Sequence, residues 1–170
     1  TAYVASGFSA QSFYFGAFFP RKEGERKRLL SQLKSLDAVL IFYESPLRLV
    51  SALCALKELV PYRRVAVCRE LTKIHEEVVR GTIDEVLRVF VDREKQEGIK
   101  GEIVLVIEAP NEQELRADKT SALLSAEERV SDLLNSRQYS KKEIVRILKD
   151  EFGLTRNDAY ELVHHKGQIP

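Results

Sequence analysis

The chain has 170 residues and a mass of 19.4 kDa, with 44% hydrophobic and 31% charged positions. That length suits one ordinary domain, or one domain with a small satellite, and requires no disulfide or metal to stabilise the core. The 27 Lys and Arg residues nearly balance the 26 Asp and Glu residues, which excludes a chain that binds polyanions through its overall charge. The longest apolar run, residues 38–43, is too short for a membrane-spanning helix.

The first 109 residues alternate short apolar runs with amphipathic stretches. The patterns predict, in chain order, a strand at 13–19, a helix at 26–36, a strand at 38–43, a helix at 47–59, strands at 65–68 and 77–80, a helix from 82 to 96 and a strand at 103–107. Thr82 and Glu85 form a capping box at the start of the third helix. We therefore expect an α/β domain with a five-stranded mixed sheet and flanking helices over residues 1–109.

The composition changes after Pro110. Residues 110–122 are expected to be a linker, since 111–120 hold no aromatic or β-branched apolar residue. Three capping boxes follow, and they predict helices at 126–135, 141–151 and 156–165: Ser125/Glu128, Ser140/Glu143 and Thr155/Asp158. Residues 123–170 are therefore expected to form a small three-helix satellite with helix-turn-helix spacing.

Two segments concentrate positive charge, each with a net charge of +4. The first, residues 21–34, follows the aromatic strand, and the second, residues 137–149, lies in the helical tail. Clustered Arg and Lys gain affinity for nucleic acid by releasing counterions from phosphates, although a solvated helix surface would show the same composition. The candidate RNA contacts are Arg21, Lys22, Arg26, Lys27, Arg28, Lys141 and Lys142, and the second segment also contains Arg137, Arg146 and Lys149.

Charged and polar residues follow two of the predicted strands. Tyr43 to Pro46 come after the second strand, and Arg69 to Lys73 come after the third. Ligands of open α/β sheets bind beyond the carboxyl ends of the strands, although structural ion pairs are also common there. No metal site is predicted, because His164 and His165 are adjacent and face different sides of a helix. Cys54 and Cys68 are too few for a disulfide framework, and we expect buried, reduced thiols in a cytoplasmic protein.

Several of these segments occur in an order that is characteristic of one family. They are residues 15–22 (FGAFFPRK), 43–49 (YESPLRL), 69–73 (RELTK), 80–82 (RGT) and 100–102 (KGE). Together they resemble the C-terminal part of the ribosomal RNA small subunit methyltransferase I family, in the tetrapyrrole methylase superfamily. One departure is Leu47, where the family pattern often has His. Since the chain starts at Thr1 and holds no Met, we expect it to be the rear part of a longer protein.

The resemblance implies an enzyme with two α/β domains that holds S-adenosyl-L-methionine between them, usually as a homodimer, and methylates the ribose 2′-hydroxyl of a 16S rRNA cytidine. The glycine-rich cofactor loops of the first domain are not in this sequence, so residues 1–109 correspond to the second domain. The cofactor residues implied by the matching motifs are Tyr43, Glu44, Ser45, Leu71, Thr72, Gly101 and Glu102.

A ribose hydroxyl is a poor nucleophile and requires a base or a cation to favour its deprotonation. Glu44, Glu70 and Lys73 are the candidate catalytic residues for that role. Two alternatives remain open: a methylase of small corrin or porphyrin substrates, and a non-enzymatic nucleic-acid-binding module led by residues 125–165. We expect the isolated 170-residue chain to be catalytically inactive, because half of the cofactor cleft would be missing.

Overall fold

The computed structural model describes residues 1–136 and 138–166, and within these ranges it contains one five-stranded sheet and seven α-helices. Arg137 of the second basic segment and residues 167–170 lie outside the described residues. The chain divides into two compact units, the first Thr1–Glu114 and the second starting at Leu115. No helix in the described ranges combines the length and the apolar character that a bilayer crossing requires.

The first unit has the predicted α/β arrangement. Its elements are α1 (Ala2–Ser6), β1 (Ser12–Phe18), α2 (Glu23–Leu33), β2 (Ala38–Glu44), a 3-10 turn (Pro46–Arg48), α3 (Leu49–Leu59), β3 (Arg64–Arg69), β4 (Glu77–Thr82), α4 (Ile83–Gln96) and β5 (Ile103–Ile107). The strands lie in the order β1-β2-β5-β3-β4. The β1–β2 pair is parallel and the other pairs are antiparallel, which confirms the mixed sheet.

The alternation of side chains along the central strands places apolar residues on both faces of the sheet. Leu40 and Phe42 of β2 belong to the main core together with residues of α2, α3 and α4, whereas Val39 and Ile41 belong to a smaller cluster that includes Phe8 and is packed by Ala2 and Ala5 of α1. The sequence did not predict α1, a five-residue helix that ends at Gly7 in the left-handed conformation. Cys68 is buried as expected, but Cys54 on α3 is exposed.

The register of the sheet brings three chain segments to one edge. Ile103, the first residue of β5, pairs with Glu44 at the end of β2 and with Arg69 at the end of β3. Since β2 and β3 both run antiparallel to β5, their carboxyl ends flank the start of β5. The loops after β2 and β3 and the turn before β5 therefore lie side by side.

The prediction of a linker at residues 110–122 is wrong, because most of this segment is helical. Helix α5 (Glu112–Ser136) begins within the 110–122 segment, and Ser125 therefore lies inside a helix instead of at its N-terminus. The side-chain oxygen of Asn111 accepts a hydrogen bond from the Glu114 backbone N–H at 2.9 Å, as an N-cap does. Residues 112–119 are mostly strong helix formers, so the absence of aromatic and β-branched residues indicated a helix and not a linker.

The second unit has a hydrophobic core of its own. Helices α6 (Lys141–Phe152) and α7 (Arg156–Lys166) pack with the later turns of α5 around Ala126, Val130, Leu133, Ile144, Leu148, Leu154, Ala159 and Val163. The Ser140/Glu143 capping box is formed as predicted, and Thr155 caps α7 by accepting the Asp158 backbone N–H at 3.1 Å. Gly153 ends α6 in the left-handed conformation, with φ of 63°.

Candidate cofactor cleft and candidate RNA contacts

A cleft of about 520 Å³ lies at the sheet edge where the ends of β2 and β3 flank the start of β5. Six of the seven residues predicted to bind cofactor line it, and Thr72 does not. The complete lining is Phe18, Tyr43, Glu44, Ser45, Pro46, Leu71, Gly101, Glu102, Ile103 and Val104. The cleft thus combines aromatic and aliphatic side chains with the backbone of three strand-end loops, a composition typical of small-molecule sites.

Glu44 is the buried charged residue of this cleft. Its side chain has no exposed surface, and its Oε1 atom lies 2.6 Å from Nη2 of Arg48 and accepts the Ser45 backbone N–H at 2.6 Å. Burial raises the pKa of the Glu44 carboxyl, and the Ser45 hydrogen bond and the Arg48 charge oppose that rise. Among the described residues, Glu44 Oε2 and Arg48 Nη1 are buried without a hydrogen-bond partner.

Glu70 joins the loop after β3 to the turn before β5 through hydrogen bonds to Glu102. Its Oε1 atom accepts the Glu102 backbone N–H at 2.6 Å, and its own N–H donates to the Glu102 carbonyl oxygen at 2.9 Å. These contacts require φ of 51° at Glu70 and 94° at Gly101, where a Cβ atom would come within 2.7 Å of the Glu70 carboxyl. The backbone hydrogen bond from Glu102, together with Lys73, lowers the pKa of the Glu70 carboxyl.

Lys73 is held between two carboxylates beside the cleft. Its ammonium lies 3.1 Å from Glu70 Oε1 and 3.1 Å from Glu102 Oε2. Hydrogen bonds to Glu102 and Glu70 raise the pKa of Lys73, so the side chain remains a cation. Thr72 has a left-handed φ of 66°, and its backbone N–H donates to Glu76 Oε2 at 2.6 Å, so this residue organises the loop.

Sequence reasoning missed one charged partner and several lining residues. Arg48 is four residues after Glu44, and that opposite-charge spacing across the Ser45-Pro46 turn was the available signal. Phe18, Ile103 and Val104 line the cleft because of the strand register, which the local sequence does not encode. Leu47, which departs from the family pattern, is 89% exposed and does not line the cleft.

The candidate RNA contacts in the first basic segment, residues 21–34, fall into two groups, one buried and one exposed. Arg26 is buried: its guanidinium donates to the Pro20 carbonyl oxygen at 2.8 Å and to Ser51 Oγ at 3.2 Å, and it lies 5.4 Å from the centre of the Phe19 ring. Those contacts give Arg26 a structural role. The exposed candidates for RNA contacts in this segment are Arg21, Lys22, Lys27 and Arg28, of which Lys22 pairs with Glu25 and Lys27 with Glu23.

The two candidates in the helical unit, Lys141 and Lys142, are exposed in the first turn of α6. Arg146 and Lys149 of the same basic segment are also exposed on α6, one and two turns further along. The segment therefore presents its described cations to solvent.

Comparison with known proteins places the chain in a family. The family model for tetrapyrrole (corrin/porphyrin) methylases matches residues 2–87. Proteins named "Ribosomal RNA small subunit methyltransferase I" from Bacillus subtilis (strain 168) and Halalkalibacterium halodurans are 36% and 35% identical over 98% of this chain. One with the same name from Mycobacterium tuberculosis (strain ATCC 25618 / H37Rv) is 44% identical over 63% of this chain and 36% of its own.

The chain spans about half the length of the curated relatives it matches. It covers 56% of the Bacillus subtilis protein and 56% of the Halalkalibacterium halodurans protein. Among solved structures, that of the methyltransferase CobJ matches 64% of this chain and 51% of its own, at 16% identity and a TM-score of 0.45. The family match covers half of the chain and all the strands up to β4, and it includes two of the three loops that form the cleft. The chain therefore belongs to the tetrapyrrole (corrin/porphyrin) methylase family.

Proposed function

We propose that this chain is part of an S-adenosyl-L-methionine-dependent methyltransferase that modifies the ribose 2′-hydroxyl of a cytidine in 16S rRNA. One observation carries the proposal: four of the five family motifs contribute residues to one cleft at the sheet edge. The identity to proteins named as small-subunit rRNA methyltransferases extends along 98% of the chain and supports an rRNA substrate in the cytoplasm.

The cleft fits the cofactor in size and chemistry. Its 520 Å³ falls within the usual range of about 300–1,000 Å³ for ligand pockets. Tyr43 and Leu71 offer apolar surface for an adenine ring. The Gly101 backbone, and the carbonyl oxygens of Ser45 and Glu102 as acceptors of a second hydrogen bond, offer polar groups for the ribose. The residues that would hold the cofactor are Tyr43, Glu44, Ser45, Leu71, Gly101 and Glu102, with Thr72 shaping their loop. When bound, S-adenosyl-L-methionine supplies a methyl group on a sulfonium centre.

The three candidate catalytic side chains have different chemical capacities in this arrangement. Glu44 is fully buried and paired with Arg48, so we assign it a positioning role at the end of β2. Glu70 has a lowered pKa, which makes its carboxylate a weak base, and it holds the Gly101–Glu102 turn. Lys73 remains positively charged beside the cleft. It is therefore the candidate for stabilising negative charge on a ribose oxygen, in which case deprotonation needs no strong base.

The proposal includes the homodimer and the small ribosomal subunit as partners. An exposed apolar patch on the edge strand β1 and on α1 supports a protein interface, since monomers rarely expose contiguous aromatic side chains. Val4, Phe13 and Phe15 are 81%, 60% and 49% exposed. Sedimentation velocity of the protein and of the Phe13→Ser/Phe15→Ser double variant tests this part: the proposal expects a dimer that dissociates in the variant, and a monomeric parent contradicts it.

Methyl transfer to defined substrates tests the proposed reaction. The protein, produced at the length of its curated relatives, is incubated with [methyl-³H]S-adenosyl-L-methionine and small ribosomal subunits that lack the modification. The rRNA is then digested to nucleosides for mass spectrometry. We expect label in 2′-O-methylcytidine. Label in a base, or transfer to a corrin or porphyrin and none to rRNA, would contradict the proposal and favour the alternative small-molecule methylase.

The same assay on the 170-residue chain tests whether this part suffices for catalysis. We expect no transfer above background, because a barrier is lowered only when cofactor and hydroxyl are held together in a productive orientation. Measurable transfer by the 170-residue chain would show that it contains the whole catalytic site.

A further inference from the structure

A groove of about 550 Å³ lies between α6 and α7 in the helical unit. The described residues that line it include five cations and an aromatic pair, and none of them carries a carboxylate. Val145 and the rings of Tyr160 and His164 provide its apolar surface. The cations are Lys141, Lys142, Arg146, Lys149 and Arg156.

Most of this charge is not neutralised. Within residues 1–136 and 138–166, the structure records an ion pair only for Arg146, which lies 3.8 Å from Asp150 with both side chains largely exposed. Three carboxylates nearby in sequence have partners outside the groove, since Glu143 accepts from Ser140, Glu151 accepts from Arg129 and Asp158 pairs with Lys119. The groove therefore presents an uncompensated positive surface.

The placement of the cations opposes helix stability. Lys141 and Lys142 occupy the first turn of α6, and Arg156 is the first residue of α7. Positive side chains in a first turn face the positive end of the helix dipole, which costs a few tenths of a kcal/mol at each position. These three cations line one groove and do not stabilise the helices that carry them. Their placement favours an anionic ligand.

Tyr160 adds a second kind of recognition surface. Its side chain is 54% exposed, and one side of the ring is covered by His164, with ring centroids 4.0 Å apart at an interplanar angle of 32°. An exposed aromatic ring beside phosphate-binding cations is the arrangement by which proteins bind single strands, since unstacked bases stack on aromatic side chains. A lipid surface would instead call for several exposed apolar side chains on one helix face.

We propose that the groove between α6 and α7 binds single-stranded RNA, with phosphates on the five cations and one base stacked on Tyr160. The identification of the strand as RNA rests on the proposed function. The groove extends the predicted contacts at Lys141 and Lys142 to Arg146, Lys149, Arg156 and Tyr160.

Fluorescence anisotropy of a labelled ten-nucleotide oligo(U) with the full 170-residue chain tests the proposal. For five phosphate contacts, the logarithm of the binding constant is expected to fall with the logarithm of salt concentration with a slope of about −3.5. Lys149→Gln and Arg156→Gln are each expected to reduce that slope by about 0.7. Tyr160→Leu is expected to weaken binding roughly tenfold with the slope unchanged, and Tyr160→Phe to bind as the parent does.

Matched controls separate the groove from general effects. Tyr139→Leu removes an exposed tyrosine of the same unit that does not line the groove, and Lys95→Gln removes an exposed charge on α4. Both are expected to leave binding unchanged. Thermal melts followed by circular dichroism establish that each variant is folded. When the oligonucleotide is in a duplex, its bases are already stacked on one another and cannot stack on Tyr160. Tyr160→Leu is therefore expected to leave binding of the duplex unchanged.

Four outcomes would overturn the proposal. They are no oligo(U) binding by the parent chain at 100 mM salt, equal losses in Tyr160→Leu and Tyr139→Leu, groove variants that bind as the parent does, and binding to phosphatidylglycerol vesicles without binding to oligo(U). If Arg28→Gln alone reduces binding, RNA is bound by α2 and the groove is excluded. Because the readout is binding and not methyl transfer, failure of the groove is distinguishable from failure of the proposed reaction.

Discussion

Gly101 shows how one residue shapes the candidate cofactor cleft. Its φ of 94° is strained for any residue with a side chain, and a Cβ atom there would lie 2.7–2.8 Å from the Glu70 carboxyl group. We expect Gly101→Ala to lower the free energy of unfolding by about 1–3 kcal/mol and to displace Glu70 from the Glu102 amide. Urea denaturation measures the change.

Gly24 provides the matched control for that substitution. It lies in α2, and a Cβ atom there would meet nothing within 4 Å. Gly24→Ala is expected to stabilise the chain by about 0.5 kcal/mol through higher helix propensity. Equal effects of the two substitutions would show that Gly101 is not under the constraint described above.

The buried Glu44–Arg48 pair makes a prediction with a defined pH dependence. Arg48→Leu leaves the Glu44 carboxylate buried without its cation, which is expected to cost about 3 kcal/mol at pH 7.5. Burial already raises the pKa of Glu44, and loss of Arg48 raises it further. The folded state then binds a proton more readily than the unfolded state, so the stability loss is expected to shrink as pH falls toward 5.

Urea denaturation of the parent and the variant at pH 7.5 and pH 5 measures that difference. Arg28→Leu, which replaces an exposed arginine of α2, serves as a control and is expected to change stability by less than about 0.5 kcal/mol. A loss from Arg48→Leu that is equally large at both pH values would contradict a role for the Glu44 charge.

The sequence predicted which residues belong to the cleft better than it predicted their roles. Glu44 was recognisable because an acid follows a buried strand, but its burial and its pairing with Arg48 appear only in the folded structure. Arg26 was grouped with the other α2 cations because sequence gives charge and not exposure; in the fold its guanidinium packs on Phe19. Side-chain burial is a tertiary property, and charge patterning alone does not reveal it.

At the scale of elements, Glu77 connects β3, β4 and α4. Its Oε2 atom lies 2.6 Å from Arg93 Nη1 of α4 and 3.0 Å from Arg69 Nε of β3. Hydrogen bonds from Arg93 and then Arg69 lower the pKa of Glu77 to about 2, from an ordinary value of 4.5. A lowered folded-state pKa gives stability that is complete above about pH 4.5 and is lost as pH falls toward 2.

Glu77→Gln is therefore expected to cost about 1–2 kcal/mol at pH 7, allowing for solvent screening of this partly exposed group. The difference between parent and variant should narrow steadily below pH 4.5. Denaturation midpoints at pH 7, 4 and 3 measure it, with Glu94→Gln on the exposed side of α4 as control. A difference that is constant with pH would mean that Glu77 acts through packing alone.

The elements themselves were largely predictable from periodicity and capping. The bounds of β5, the capping boxes at Thr82 and Ser140 and the N-cap at Thr155 follow from local residue types. The box predicted at Ser125 does not form, because that residue lies inside α5. Helix α1 was missed because five residues give too short a pattern to recognise. The N-terminal half of α5 was missed because polar helix formers without apolar periodicity read as a linker, although Asn111 was available as an N-cap.

At the scale of the whole molecule, a buried ion pair holds Glu114, the last residue of the first unit, to Arg63 of the same unit. Arg63 and Glu114 side chains are 0% and 2% exposed, with Arg63 Nε 2.8 Å from Glu114 Oε2. Arg63 also donates to the Lys34 carbonyl oxygen at 2.7 Å. Glu114→Leu is expected to cost about 3–5 kcal/mol, because it leaves a buried guanidinium without its partner.

The charge-free pair Arg63→Met/Glu114→Leu tests whether that cost comes from the uncompensated charge. We expect the double variant to recover most of the loss and to lie within about 2 kcal/mol of the parent by urea denaturation. A double variant as unstable as Glu114→Leu alone would place the cost in lost packing or in the Lys34 hydrogen bond.

The strand order is the feature that the sequence did not supply. β5 lies between β2 and β3, although 33 residues separate the end of β3 from the start of β5. Local patterns specify a strand but not its neighbours, which depend on long-range pairing and on which faces the helices cover. That order joins Tyr43–Pro46, Leu71 and Gly101–Val104 into one cleft. The strand-end positions pointed to the first two segments, and only the family resemblance added Gly101 and Glu102.

The assignment of the cofactor to this sheet edge is tested most directly by titrating the ¹⁵N-labelled 170-residue chain with S-adenosyl-L-homocysteine, the product of the proposed reaction, followed by two-dimensional NMR. This method detects millimolar binding, so a partial site suffices. We expect saturable shifts of the backbone amides at Tyr43, Ser45, Leu71, Gly101 and Glu102, and no shifts on α4. Amides that remain unshifted at 5 mM ligand, or shifts clustered elsewhere, would contradict the assignment of the cofactor to this sheet edge.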